Sequence, residues 1–364
     1  MKSQLSVAAL LFAILAMIAT AHAQYSVVDL NPASGYSGTN ALGVGGAQVG
    51  SGGVGAISHA LLWTGSASSV VDLHASAYTG GSVAYGAAAG TQVGLGGISF
   101  AGATHALLWT GTAASVVDLN GTFDHSAAYG VTAGSEVGFG TVSDPHATLW
   151  FGTAASVIDL NPTGTIGSIA YGVDGGHQVG VKLTDGVHPD HALLWSGTAA
   201  SVVDLNPSGY GTSIAWGVSG DSQVGQAAPT GGSFSHAMLW SGTAGSFIDL
   251  NGSGYDGTVA KGVAGGKQAG YGVSETTGHT HALVWSGSSA SVIDLESFLP
   301  AGLADSVANG IDSSGNIVGY AFSTDGTTHA VLWKPVPEPG SFFVIGVVIV
   351  VLASRRRMRG PSAP

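Results

Sequence analysis

Apolar residues in this chain fall in short runs, and two of those runs alternate along it, "HALLW" and "SVVDL". A third stands between their copies, written "VAYGAAAGTQVG" at 83–94 and "IAYGVDGGHQVG" at 169–180. Each is rich in Val, Ile, Leu and Ala and is bounded by Gly, Ser and Thr, the punctuation of strands and turns. No segment between residues 24 and 334 sustains a helical period, so helices are expected to be nearly absent there. Within "HALLW" and "SVVDL" adjacent residues are both apolar, where a half-exposed strand would alternate. Strands covered on both faces lose that alternation, so both runs are expected between packed sheets.

The runs recur at a steady period. His-Ala-x-x-Trp begins at His59, His105, His146, His191, His236, His281 and His329, at intervals of 46, 41, 45, 45, 45 and 48 residues. Asp-Leu closes the second run at Asp29, Asp72, Asp118, Asp159, Asp204, Asp249 and Asp294. The third run also appears seven times, from "NALGVGGAQVG" to "VANGIDSSGNIVG". Four short strands in a repeat of this length describe a β-propeller blade. The expected fold is all-β, a single seven-bladed propeller over residues 24–334, with an open β-solenoid as the alternative. The small residues of "AYGV" suit a crowded axis, which assigns that run to the innermost strand. Tryptophans repeated at one phase are expected in the core between blades rather than as sugar-stacking platforms.

The chain is cut inside a hairpin. Residues 25–30 ("YSVVDL") and 329–333 ("HAVLW") are the two halves of a unit seen whole at 105–119. Unpaired strand edges are costly unless they meet, so the N-terminal strand is expected to complete the seventh blade beside 329–333. Trp and Asp stand nine residues apart in all six intact copies, and His and Asp thirteen. A loop of about four residues after Trp would set each His directly across from its Asp. The expected pairs are His59–Asp72, His105–Asp118, His146–Asp159, His191–Asp204, His236–Asp249, His281–Asp294 and, across the closure, His329–Asp29. Their role would be to hold register.

Composition narrows what such a fold can do. The chain has 364 residues, 60 of them glycine and none cysteine, and 45% of it is hydrophobic, enough for a core. Without cysteine, disulfides and thiolate metal sites are excluded. Between residues 24 and 334 the basic residues are Lys182, Lys261, Lys267 and Lys334, against twenty carboxylates. Phosphate binding needs clustered Lys and Arg, so the acidic body argues against nucleic acid and anionic lipid as partners.

The two ends read as addresses. Lys2, an apolar run from Leu5 to Ile18 and "AHA" at 21–23 form a signal peptide over 1–23, with Gln24 as the mature start and signal peptidase as the processing partner. That run is shorter than the ~20 residues of a membrane span. Residues 335–364 hold Val336-Pro337-Glu338-Pro339, an apolar stretch Phe342–Ala353 that reads as a short transmembrane helix, and Arg355-Arg356-Arg357. Basic residues after an apolar run keep that flank cytoplasmic. The order resembles the PEP-CTERM sorting signal of bacterial envelope proteins. The resemblance implies processing near the Pro-Glu-Pro by an exosortase-like peptidase, and delivery to the cell surface or outside after transient inner-membrane anchoring.

His-Ala-x-x-Trp, with the upstream Gly-Val and Gly-Gln-Val-Gly, resembles the HAF repeat of extracellular bacterial proteins over residues 25–333. Leu61, Leu107 and Leu193 stand where that repeat typically carries Phe, and "DSSGNIVG" at 312–319 is the copy nearest the pattern. The resemblance implies an extracellular repeat protein and brings no catalytic residue. The residues themselves agree, since seven histidines and seven aspartates at fixed repeat positions serve one packing need. A metal site or a catalytic carboxylate pair needs a local break from the repeat. No cofactor is expected. Non-repeated polar residues stand in variable loops: Asp124 with His125, "DGVHPDH" at 185–191 and "ETTGH" at 275–279. Trp216 is the one tryptophan outside the repeat's phase.

Two functions follow. One is a secreted, non-enzymatic scaffold of the cell surface or extracellular matrix, structural or binding, with envelope or matrix polysaccharide as an open partner. The alternative is an extracellular polysaccharide hydrolase or lyase, whose site would break repeat symmetry in the loops of one face. No such cluster stands out in the loops, which favours the scaffold.

Overall fold

The computed structural model describes residues 24–183 and 189–337. The expected signal peptide over 1–23, residues 185–188 of the variable loop, the expected short helix 342–353 and Glu338, Pro339, Arg355, Arg356 and Arg357 of the expected sorting signal lie outside the described residues. Residues 27–334 form one compact unit, and the described residues 24–26 and 335–337 fall in a second.

Seven four-stranded sheets build the fold. The only helical segments among the described residues are seven three-residue 3-10 turns. The second blade shows the plan: Ser82–Ala88 is innermost, followed outward by Thr91–Gly97, Thr104–Trp109 and Val117–Asp118. The "AYGV" run is the innermost strand in every blade, and all seven copies border one axial cavity. Opposite it, the Gly of "Gln-Val-Gly" is obligatory, because a Cβ on Gly94 would lie 1.9 Å from the Val83 carbonyl oxygen.

In the seventh blade the strands run Leu303–Ile311, Ile317–Ser323, Thr328–Val336 and then Gln24–Asp29, so the first strand of the chain completes the last blade. The Leu30 N–H donates to the Ala330 carbonyl at 2.8 Å. Trp63 of the first blade packs on Leu30, Val318, Ala330 and Leu332 of the seventh. The ring is closed, and the fold is a seven-bladed β-propeller rather than an open solenoid.

Tryptophan fills the seams between blades. Every His-Ala-x-x-Trp indole is at most 1% exposed. Trp150 of the third blade lies among Val93, Ala106, Leu108 and Leu119 of the second. Trp195, Trp240 and Trp285 repeat the arrangement one, two and three blades on. Burying so large a ring between two sheets stabilises each seam by several kcal/mol, on the order of 3–5 by the usual cost of truncation to Ala.

The second run departs from the expectation. In the first six blades only two of its residues pair as a strand, and Val71, Val117, Ile158, Val203 and Ile248 are exposed. Blades diverge toward the rim, so the outermost strand faces water, and only the Leu after Asp turns inward to be buried. The connection after Trp is also longer than four residues. It spans Thr64–Val70 and contains the 3-10 turn Ala67–Ser69. Its length is set by bonding: the Ser69 hydroxyl accepts the Thr64 N–H at 2.8 Å and donates to the Ser66 carbonyl at 2.6 Å. The same wiring recurs at Ser115, Ser156, Ser201, Ser246 and Ser291, which is why no copy tolerates an insertion.

Candidate functional site

Each repeated His lies beside its Asp. Nδ1 to Oδ2 distances are 2.6–2.8 Å for His59–Asp72, His105–Asp118, His146–Asp159, His191–Asp204, His236–Asp249, His281–Asp294 and His329–Asp29. The partners are diagonal rather than opposite. Asp72 is registered with Leu61, two residues from His59 and on the same face. The longer turn after Trp shifts the register in this way. The Asp side chains are 33–60% exposed, so an unpaired carboxylate there carries little desolvation cost, and each pair is worth about 1 kcal/mol at most. Around Asp204, burial acts to raise the carboxyl's pKa. The His191 and Asn206 hydrogen bonds, with the charges of His191 and Lys182, outweigh it and hold the group below the usual range.

The stronger bonding lies beneath. The free Asp oxygen accepts the N–H two residues on, Asp118 from Asn120 and Asp29 from Asn31, both at 2.8 Å. The Asn side-chain carbonyl then accepts a hydroxyl from the next blade's inner strand, as Asn120 does from Ser126 at 2.5 Å and Asn251 from Thr258 at 2.8 Å. That hydroxyl in turn accepts the N–H of the Ala after His, Ala106 to Ser126 at 2.8 Å. Three elements of two blades thus share one circuit, and its hydroxyls are at most 2% exposed. At the closure Thr39 makes the same bridge, donating to Asn31 at 2.8 Å and accepting the Ala330 N–H at 3.1 Å. Two junctions substitute other acceptors: His74 Nδ1 sits 2.9 Å from the Ser82 hydroxyl, and Glu296 accepts the Ser306 hydroxyl. The signal for this circuit was present as Asp-Leu-Asn in five of seven copies.

A second circuit uses the Gln of "Gln-Val-Gly". Its Oε1 accepts the N–H of the turn glycine, Gln92 from Gly111 at 2.8 Å, and its amide donates to the carbonyl two residues back, Gly90 at 2.9 Å. Two blades differ. The third carries Glu136, whose Oε2 accepts the Gly152 N–H at 2.8 Å. The seventh carries Ile317, fully buried, because there the hairpin is open and no turn needs an acceptor.

The loop candidates do not converge. His125 Nδ1 accepts the Thr104 N–H at 3.3 Å beside the third blade. On the sixth, His279 Nδ1 lies 2.8 Å from Asp305 Oδ1. No hydrogen bond joins these two places among the described residues, and of "DGVHPDH" only His191 has a described side chain, paired with Asp204.

Repeat symmetry breaks at the axis instead. Each inner strand carries a bulge one residue before its Gly, where pairing with the second strand skips a position. The skipped residues are Leu42, Tyr85, Tyr129, Tyr171, Trp216, Lys261 and Asn309 in ring order. Ring centroids are 5.0 Å apart for Tyr85–Tyr129, 5.4 Å for Tyr129–Tyr171 and 4.4 Å for Tyr171–Trp216. Lys261 Nζ lies 3.3 Å from the Trp216 centroid, a cation–π contact. Burial pushes the Tyr171 hydroxyl up to about 12 and the Lys261 ammonium down to about 8. Leu42, Lys261, Asn309 and the glycine after each skipped residue line a cavity of about 170 Å³. Those glycines are required by the approach of neighbouring blades, since a Cβ on Gly43 would lie 2.3 Å from the Tyr85 carbonyl oxygen. The sequence showed this break as one varying position before a repeated Gly, of which only Trp216 stood out.

Solved structures share the fold. A mutant puromycin hydrolase complexed with PGG superposes with a TM-score of 0.53 at 12% identity, over 84% of this chain and 55% of that one. Puromycin hydrolase in a second structure gives 0.50 at 13%, over 83% and 52%. A prolyl endopeptidase gives 0.50 at 11%, over 84% and 51%. This chain spans about half the length of these propeller-containing hydrolases, and the likeness at such identity is one of fold. No family model matches the chain, and no curated protein matches its sequence. Among the described residues no helix is long and apolar enough to cross a membrane, and no three His, Cys, Asp or Glu gather as a metal site.

Proposed function

We propose that this is a secreted, non-enzymatic repeat protein of the cell surface or extracellular matrix, whose propeller is a rigid binding scaffold. One observation carries the reading. The repeated His, Asp, Asn and Ser/Thr are engaged in wiring blades together, while the position before each inner-strand Gly carries Leu, Tyr, Trp, Lys or Asn at the axis. Copies that serve one structural need leave that position free to diverge. The acidic body and scarce lysines fit a neutral or sparsely charged extracellular partner, such as envelope or matrix polysaccharide, better than a polyanion. Delivery would follow the two ends, with removal of residues 1–23 by signal peptidase and cleavage near Pro337-Glu338-Pro339 by an exosortase-like enzyme. A glycan array, run with turnover assays on the same glycans, tests the reading. Binding without product is the expected result, and catalytic turnover of any bound glycan would overturn the non-enzymatic assignment.

A further inference from the structure

The axial cluster contains one charge. Lys261 lies on the face of Trp216, and that ring is its only partner among the described residues. Among the described residues no carboxylate pairs with it, although the sequence between residues 24 and 334 has twenty carboxylates to four lysines. A cation withdrawn from water needs an anion or acceptors in place of the lost hydration, and an aromatic face returns only part of that. With its pKa near 8 the amine is still mostly protonated at neutral pH. It borders the axial cavity with Asn309, whose amide gives one N–H to the Ala41 carbonyl at 2.9 Å and has a second to offer. Every inner strand is also the edge of its sheet, so backbone N–H groups on its axial side are unused within the blade.

We propose that the axial cavity binds a small monocarboxylate, with Lys261 holding the carboxylate and Asn309 donating to it. The proposal rests on the binding-scaffold reading for its premise that the axis is where this chain diverged to take a ligand. Size admits the class, since a cavity of about 170 Å³ has room for an acid of a few carbons. Charge selects it. A single ammonium inside an acidic body matches one negative charge, whereas a phosphate dianion asks for clustered cations. The Asn309 amide beside the ammonium gives a second donor to a two-oxygen group, which a halide cannot exploit in the same way.

The full chain carrying lysine labelled with ¹³C at Cε tests this by NMR, with Lys261→Met assigning the resonance. Acetate, propionate and lactate are expected to move the Lys261 signal saturably and to raise its titration midpoint, because a bound anion favours the charged form. They should also raise Tm of the parent and of Asn309→Ala (more weakly), and have no effect on Lys261→Met. Asn309→Asp places a carboxylate beside the ammonium and should abolish the response with Lys261 intact. A resonance unmoved by all three acids overturns the proposal, leaving Lys261 a packing residue on Trp216. An equal response to chloride overturns the carboxylate class. Glycan binding by a parent whose Lys261 ignores the acids would leave the scaffold reading standing while this one falls. Turnover of a glycan by a parent that binds the acids would do the reverse.

Discussion

Glu136 occupies a slot built for glutamine, and replacing it with Gln should stabilise the propeller at neutral pH. In the second, fourth, fifth and sixth blades the Gln amide donates to the carbonyl two residues back, at 2.9–3.0 Å. A carboxylate in that slot has no proton to give, so the bond to the carbonyl two residues back is not made, while the acid itself is only 2% exposed. Burial raises the Glu136 carboxyl above its usual range, against the lowering effect of the Gly152 N–H. A carboxyl with a raised folded pKa contributes its stability below the unfolded value, near 4.3, and loses it as pH rises through the folded value. Glu136→Gln restores one hydrogen bond, worth about 0.5–1.5 kcal/mol net. For a cooperative unit of about 310 residues, unfolding entropy is roughly 0.65 kcal/mol/K, so Tm should rise by about 1–2 °C. Calorimetry at pH 7 and pH 4 reads this directly. The gain should shrink toward zero at pH 4, where the protonated acid can itself donate. A gain equal at both pH values, or a loss at pH 7, would refute the reasoning.

Other consequences separate the buried bonds from the exposed ones. Thr39→Val, which strips the bridge at the closure, should cost about 1–3 kcal/mol in denaturant unfolding, because it leaves the buried Ala330 N–H unpaired and takes a donor from half-buried Asn31. Asp29→Ala at the same seam should cost less, about 1 kcal/mol, because its carboxylate is 40% exposed; the opposite ranking would make the His–Asp pair the main lock. Trp150→Ala should cost about 3–5 kcal/mol in the same assay through the cavity it opens between the second and third blades. Replacing Pro337 or Glu338 should leave an uncleaved, membrane-held precursor on cell fractionation, and release with the parent's mature C-terminus would dismiss the sorting signal.

Much of this architecture is written in one dimension. Seven copies of His-Ala-x-x-Trp state the number of blades, and a hairpin split between residues 25–30 and 329–333 states how the ring closes, because period and strand pairing are local properties. Burial of the tryptophans follows from their size and constant phase. Folding added what spacing cannot express. The His–Asp partners are diagonal because a 3-10 turn, held by Ser69 and Gln48, takes up residues that a tight hairpin would not. Val71 is exposed because blades part at the rim, a matter of wedge geometry that leaves no mark on an apolar run. The axial set shows the limit most clearly. Tyr171, Trp216 and Lys261 are separated by 45 residues at each step and have no local relation. Their side chains meet only because a bulge turns each one toward a common axis, and the closed ring brings successive blades within van der Waals reach there.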